Sequence, residues 1–341
     1  MSRAGPRPAT AQAAGTREAD VFADLAARLA ARRVPVGRDV ALGALTTYRV
    51  GGAASLLVDC STEAELLAVR ETMASAHEHG PVPVLVLGKG SNLVVADAGF
   101  RGVAVRLGGA FEAIEVHGEA DAPMLRAGSA AGLPVVARRS VDAGLTGLEW
   151  AVGIPGSVGG ALKMNAGGHG SDTASCLLRY RWMDLLSAEG GEDGPERLAL
   201  GYRTSSLADS QVVVWAEFAA GRGEPGAGRA AIKEIVRWRL EHQPGGKNAG
   251  SVFTNPPGDS AGRLVEAAGL KGFRLGTARV SEKHANFIQA DDTGSADDVL
   301  ALILHVRRAV ADATGVLLRP EVKLVGFGDD PLPPPLSEAS R

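Results

Sequence analysis

The sequence predicts a mixed helix-and-strand protein of two domains, on three observations. Its 341 residues exceed the roughly 100–200 residues of a single domain. Short β-branched runs alternate with glycine turns over 93–127, the pattern of strands and hairpins, and LLRYRWMDLL, ERLALG and VVVWAEFAAG read as further strands. A glycine-rich break, GRGEPGAG at 221–228, is followed by segments of helical periodicity. The expected division is therefore a structureless extension over 1–18, a first domain over 19–222, a second over 223–327 and a flexible tail over 328–341.

The elements follow in order. Residues 1–18 are rich in Ala, Gly, Pro, Thr and Arg, with no apolar period, which predicts disorder. Val21, Phe22, Leu25 and Leu29 share one helical face, so a short helix is expected over 19–33. Thr62 and Glu65 form a capping-box pattern ahead of Leu66, Val69 and Met73, and Gly80 closes that helix. PVPVLVLG then reads as a buried strand running into GKGSN. A helix is expected over 132–143, and little regular structure over the glycine-dense stretch 144–170. Helices are expected again over 229–242, from Ser260, and after a Ser295 cap with Val299, Leu302, Ile303, Val306 and Val310 as its apolar stripe. A strand over 321–326 ends the fold.

Composition narrows the function. The net charge is −3 and neither end carries a basic block, so no nucleic-acid partner is expected. Cys60 and Cys176 have neither metal-ligand spacing nor a disulfide framework, which fits a reducing cytoplasm. No apolar run approaches the ~18 residues of a membrane span, and no secretory h-region precedes the first helix. No metal site and no membrane insertion are expected, and a monomer is the default oligomeric state. The 45 glycines are close to twice the usual ~7% share. They suggest loops of positive φ or close backbone approach to a ligand.

Five segments carry candidate chemistry. Gly88-Lys89-Gly90-Ser91-Asn92 directly follows a strand, and successive N–H groups in such a turn form an anion site. A tight hairpin turn is an equally good reading of it alone. It is neither a P-loop nor a Rossmann fingerprint. Gly153-Ile154-Pro155-Gly156-Ser157-Val158-Gly159-Gly160, followed by Met164-Asn165-Ala166-Gly167-Gly168-His169-Gly170, is dense enough in glycine to admit a pyrophosphate or a ring. Tyr202-Arg203-Thr204-Ser205 offers a fixed cation for a phosphate or an oxyanion, although taken alone a surface arginine is the better reading. In Asn248-Ala249-Gly250-Ser251-Val252-Phe253-Thr254-Asn255 the serine is a catalytic hydroxyl or a cap, and it is not a hydrolase elbow. Glu321, in RPEV, is a general acid or an ion-pair partner.

In this order, GKGSN, GIPGSVGGALKMNAGGHG, GYRTSS, NAGSVFTNP and RPEV closely resemble the UDP-N-acetylenolpyruvoylglucosamine reductase (MurB) family, from about Leu45 to Gly326. The short interval between Arg203 and Ser251 resembles its type II form, which lacks an inserted substrate loop. The resemblance implies an α+β fold, with a PCMH/vanillyl-alcohol-oxidase-type FAD-binding domain and a smaller C-terminal α+β substrate-binding domain. It implies non-covalent FAD, NADPH as co-substrate, and reduction of UDP-N-acetylglucosamine enolpyruvate to UDP-N-acetylmuramate, a cytoplasmic step of peptidoglycan precursor synthesis. By this resemblance Arg203 and Glu321 stabilise the charge that develops on the enolpyruvyl carboxylate, and Ser251 protonates the carbon beside it. FAD falls to Gly88, Lys89, Gly90, Ser91 and Asn92, with Gly153, Ile154, Gly156, Ser157, Gly159, Asn165 and Gly167. Tyr202 and Asn255 fall at substrate positions.

Three positions depart from the family pattern. Thr254 stands where Lys or Arg is common, and Arg319 where Glu is frequent. His242 stands near a position that usually carries a cation for the UDP phosphates. Two rival readings remain at this point. One is a covalent flavin oxidase of the same fold, for which RVGGAAS at 49–55 lacks the histidine. The other is a non-catalytic homologue, against which Arg203, Ser251 and Glu321 stand intact.

Overall fold

The computed structural model describes residues 10–119, 121–328 and 331–332. Residues 1–9 of the extension and most of the expected tail lie outside them.

A four-stranded sheet opens the fold. Its order is Val36–Ala41, Ala53–Cys60, Phe100–Leu107, Val84–Leu87. The first pair is antiparallel and the other two are parallel. Because side chains alternate across a strand, Leu56 and Val58 face the helices α1 (Thr10–Ala31) and α2 (Glu63–His77). Leu57 faces the other way, into a cluster with Leu85, Leu87 and Ala104. The capping box of α2 forms as read: Glu65 N–H donates to Thr62 Oγ1 at 3.3 Å, and Thr62 N–H to the Glu65 carboxylate at 3.0 Å. The segment expected to be structureless is helical from Thr10. Alanine is the strongest helix former, and lengthening an existing helix needs no new nucleus.

A five-stranded antiparallel sheet follows, ordered Gly190–Asp193, Leu177–Asp184, Gln211–Ala219, Pro123–Gly128, Ile114–Gly118. The helix α3 (Leu133–Asp142) and the short α4 (Val158–Met164) pack into its core. α4 lies where little regular structure is expected. Tertiary fit overrides the low helix propensity of its glycines: a Cβ at Gly159 would lie 3.2 Å from Ser129 Cβ. The helix α5 (Pro225–His242) also belongs here, since Ile232, Ile235 and Val236 pack on the same core. The break at 221–228 therefore lies inside the first unit, and the natural boundary falls after His242. Gly221–Arg222 pairs with Leu145–Thr146, and a Cβ at Gly228 would lie 2.7 Å from Val141 Cγ1. Those glycines serve close packing rather than a linker.

The C-terminal unit packs α6 (Ala261–Ala267) and α7 (Ala296–Thr314) with a small antiparallel sheet of Arg274–Leu275, Ala278–Val280 and Ile288–Ala290. It is sewn to the first unit. Tyr48, Val50 and Val94 sit in its core, and the Tyr48 hydroxyl donates to the Ile288 carbonyl at 3.0 Å. The last strand, Lys323–Val325, returns to pair in parallel with Leu93–Val95. Asp97 accepts from the Ser295 hydroxyl and from the backbone N–H of Ala296 (3.0 Å) and Asp297 (3.2 Å), so the first unit caps α7 of the second. Among the described residues, no helix is long and apolar enough to cross a membrane, and no cluster of His, Cys, Asp or Glu could hold a metal ion.

Candidate active site

A cavity of about 910 Å³ opens between the two units. One end is built from backbone. The Gly88–Asn92 loop leaves the strand Val84–Leu87 and turns at Gly90, whose φ is +63°. A Cβ there would lie 2.3 Å from the Leu45 carbonyl oxygen. At Gly88 it would lie 2.5 Å from Ser157 Oγ, so the two glycine loops touch. Among the described residues, the N–H groups of Lys89, Gly90, Ser91, Asn92, Gly156 and Ser157 have no acceptor. Successive unspent N–H groups at a concave surface attract an anion. The charge of Lys89 is turned aside into an ion pair with Glu112 at 3.1 Å.

The other end is built from side chains. Arg203 sits at φ +57° on the turn before Gln211–Ala219. Its guanidinium donates to the carbonyls of Asn165 (3.4 Å) and Gly167 (2.8 Å), and its Nε pairs with Glu321 Oε1 at 3.1 Å. Glu321 arrives from the far end of the sequence. Its N–H donates to the Val252 carbonyl at 2.7 Å, which sets it beside Ser251, and its carbonyl accepts from Asn92 Nδ2 at 3.1 Å. Burial pushes the Glu321 carboxyl above its ordinary value, against the smaller opposing pull of Arg203. Ser251 follows Gly250, whose φ is +77°, and its hydroxyl makes no hydrogen bond among the described residues. Buried Asn286 clamps the next two residues. Its side chain bonds both backbone groups of Phe253, at 3.0 and 2.8 Å, and its carbonyl accepts from Val252 at 2.8 Å.

Of the residues singled out in the sequence, Gly88, Lys89, Gly90, Ser91, Asn92, Gly153, Ile154, Gly156, Ser157, Gly159, Gly167, Tyr202, Arg203, Ser251, Asn255 and Glu321 all line this cavity. Asn165 stands behind the wall. It is buried, in the left-handed cap of α4, and its amide is spent on Gly201 O (2.9 Å) and Ala174 N–H (2.9 Å). Asn255 Oδ1 accepts from Ala261 N–H at the start of α6, at 3.0 Å. His242 does not reach the wall: its ring stacks on Trp238, with centroids 4.6 Å apart, and its Nδ1 contacts the Trp238 carbonyl at 2.8 Å. Several lining residues escaped sequence reasoning. Arg239 lies one turn before His242. Asp209 lies between Lys163 and Lys323, 2.9 Å from each. Burial acts to raise the Asp209 carboxyl, but the two lysines outweigh it and hold it below its ordinary range. No motif marks Arg239 or Asp209, because folding alone gathers them.

A backbone anion cradle facing an Arg–Glu–Ser group defines a nucleotide-cofactor enzyme, and the comparisons supply its class. Residues 54–191 match a family model described as "FAD binding domain", so the fold is the PCMH-type FAD-binding fold and the protein an FAD-dependent oxidoreductase. Residues 241–325 match a second model, "UDP-N-acetylenolpyruvoylglucosamine reductase, C-terminal domain". The UDP-N-acetylenolpyruvoylglucosamine reductase of Rubrobacter xylanophilus is 43% identical over 84% of this chain and 94% of its own. A protein of the same description from Symbiobacterium thermophilum is 42% identical, over 85% and 91%. The crystal structure of the enzyme from Thermus caldophilus superposes with a TM-score of 0.72 at 35% identity, over 86% of this chain and 99% of that one. The chain belongs to the UDP-N-acetylenolpyruvoylglucosamine reductase family.

Proposed function

We infer that the chain reduces UDP-N-acetylglucosamine enolpyruvate to UDP-N-acetylmuramate in the cytoplasm, with NADPH as reductant and non-covalent FAD as carrier. The observation that carries the reading is the Arg203–Glu321 pair at 3.1 Å, set beside Ser251 in one cavity from three separate parts of the chain.

The residues present fit FAD. The cradle offers unspent N–H groups to a diphosphate, and Gly88 and Gly90 leave no room for a Cβ where the loops meet. Gly88–Asn92 with Gly153–Gly159 would hold the cofactor, which when bound supplies the hydride. The remaining work falls to the chain's own side chains. Hydride addition to the vinyl carbon places negative charge on the enolpyruvyl carboxylate, and preorganised donors aimed at it lower the barrier. Arg203 is oriented for this by two carbonyls and by Glu321. Glu321, its carboxyl pushed up by burial and paired with Arg203, is the acid aimed at the developing oxyanion. Ser251, whose hydroxyl is unspent, gives its proton to the carbon beside the carboxylate as general acid. Tyr202 and Asn255, on the cavity wall, would contact the sugar nucleotide.

The test is anaerobic. NADPH should bleach the visible flavin absorbance of the purified protein, and UDP-N-acetylglucosamine enolpyruvate should restore it. Bleaching without recovery would discard the substrate, and a protein that takes up no FAD would discard the reading. Release of the flavin on acid precipitation would establish that it is not covalently held.

A further inference from the structure

Three different parts of the site hold Glu321 through its three polar groups. Its carboxylate pairs with Arg203 at 3.1 Å. Its N–H donates to the Val252 carbonyl at 2.7 Å, and Thr254 N–H donates to the Arg319 carbonyl at 2.9 Å, so the segment leading to Glu321 runs along the serine loop. Its carbonyl accepts from Asn92 Nδ2 at 3.1 Å, across 229 residues of sequence. Asn92 meets the same segment a second time, where its carbonyl accepts from Lys323 N–H at 3.0 Å. It therefore grips the peptide groups on both sides of Val322, which is buried in the C-terminal core. The N–H of Asn92 has no acceptor among the described residues and belongs to the cradle.

Asn92 thus reaches both ends of the cavity. A side chain serving a diphosphate would point its amide into the cradle, and this one donates to Glu321 instead. Only the amide nitrogen can make that contact, because a carbonyl accepts and cannot donate. The cradle itself needs backbone N–H groups, which any side chain at this position supplies. A misplacement of about 1 Å near the reacting atoms can cost on the order of 10²-fold, and the backbone of Glu321 is where such a shift would begin. We propose that Asn92 is a positioning residue for Glu321. Its side chain couples the loop that binds the cofactor to the segment that carries the acid. The assignment rests on the reductase reading above.

The experiment uses the FAD-loaded protein, its Asn92→Ala and Glu321→Gln variants, and the variant with both changes, in anaerobic single-turnover stopped flow. Asn92→Ala should keep its FAD through gel filtration, because the backbone N–H remains. Flavin reduction by NADPH should stay near the wild-type rate. Reoxidation by UDP-N-acetylglucosamine enolpyruvate should slow by roughly 10-fold, between the worth of one neutral hydrogen bond and the cost of a full misplacement. The contact from Lys323 N–H survives in the variant and limits the loss. Asn92→Ser, which keeps a shorter donor, should lose less, and it replaces Asn92→Ala if that variant does not fold. The double variant decides the matter. If Asn92 acts through Glu321, the double variant reoxidises no slower than Glu321→Gln alone, since residues acting through one contact do not add. A further loss of roughly 10-fold in the double variant would make the two residues independent and overturn the proposal, as would equal slowing of both half-reactions. Loss of FAD from both Asn92→Ala and Asn92→Ser would overturn it too, and would make the side chain a cofactor ligand. A wild-type protein whose bleached flavin the substrate does not restore would overturn the reductase reading, and the proposal with it.

Discussion

The two ends of the cavity are built in opposite ways. The Gly88–Asn92 end offers backbone N–H groups from contiguous loops of one unit, and its glycines are there because a Cβ would strike Leu45 or Ser157. The Arg203–Ser251–Glu321 end offers side chains from three distant segments, joined by a strand that leaves the C-terminal unit to pair with the first. A backbone cradle tolerates side-chain change but no added bulk. A side-chain cluster tolerates neither a lost functional group nor a shifted seam. Substitutions at the two ends should therefore fail differently.

The largest effect is expected at Ser251. Ser251→Ala should slow reoxidation of the flavin by the enolpyruvyl substrate by about 10²–10⁴, the usual worth of a general acid. Flavin reduction by NADPH should stay near normal in single-turnover stopped flow. Equal loss in both half-reactions would break the division of labour between the ends.

Glu321→Gln comes next, with a loss on the order of 10²–10³ in the same half-reaction, as for one oxyanion donor. It also carries a pH signature. Burial raises the Glu321 carboxyl despite Arg203, so folding retains a proton that an exposed glutamate would release. The stability this contributes is complete below the ordinary glutamate value and is lost as pH rises through the raised one. Denaturation across that window should show a falling slope in wild type that Glu321→Gln removes. An identical slope in the two proteins would place the proton elsewhere.

Gly90→Ala probes the other end. A left-handed alanine costs roughly 1–2 kcal/mol, and its Cβ would meet the Leu45 carbonyl. The variant should fold but lose flavin on gel filtration, with whatever holoenzyme remains turning over at the wild-type rate. A slow, fully loaded variant would mean that the cradle does more than bind. The smallest effect is expected at the seam. Asp97→Ala removes an acceptor shared by Ser295, Ala296 and Asp297 and should cost about 1 kcal/mol, as a lost helix cap does. Urea midpoints measure that loss, and a fall in kcat beyond the stability loss would sharpen the case that the seam sets the Arg203–Glu321 distance.

By itself the sequence determined whatever depends on neighbours along the chain. The capping box at Thr62, the Ser295 cap, the buried strand before GKGSN and the apolar stripe of α7 are local patterns, and each formed where local rules placed it. The order of five short motifs was legible too, because glycine loops and their flanking residues are contiguous. Tertiary structure decided the rest. The break at 221–228 reads as a linker, yet α5 packs on the first core because Ile232, Ile235 and Val236 find their apolar partners there. α4 forms over low-propensity glycines because Val158, Ala161 and Leu162 pack into the first core, where Gly159 lies tight against Ser129. Asn165 looks like a ligand residue but is spent inside the wall. Arg239 looks like any surface cation, yet among the described residues it is the wall cation that folding leaves without an acidic partner. Pairing across more than two hundred residues, as between Lys323–Val325 and Leu93–Val95, leaves no periodicity in the chain. Partner and counter-charge are properties of the folded surface, and no local pattern encodes them.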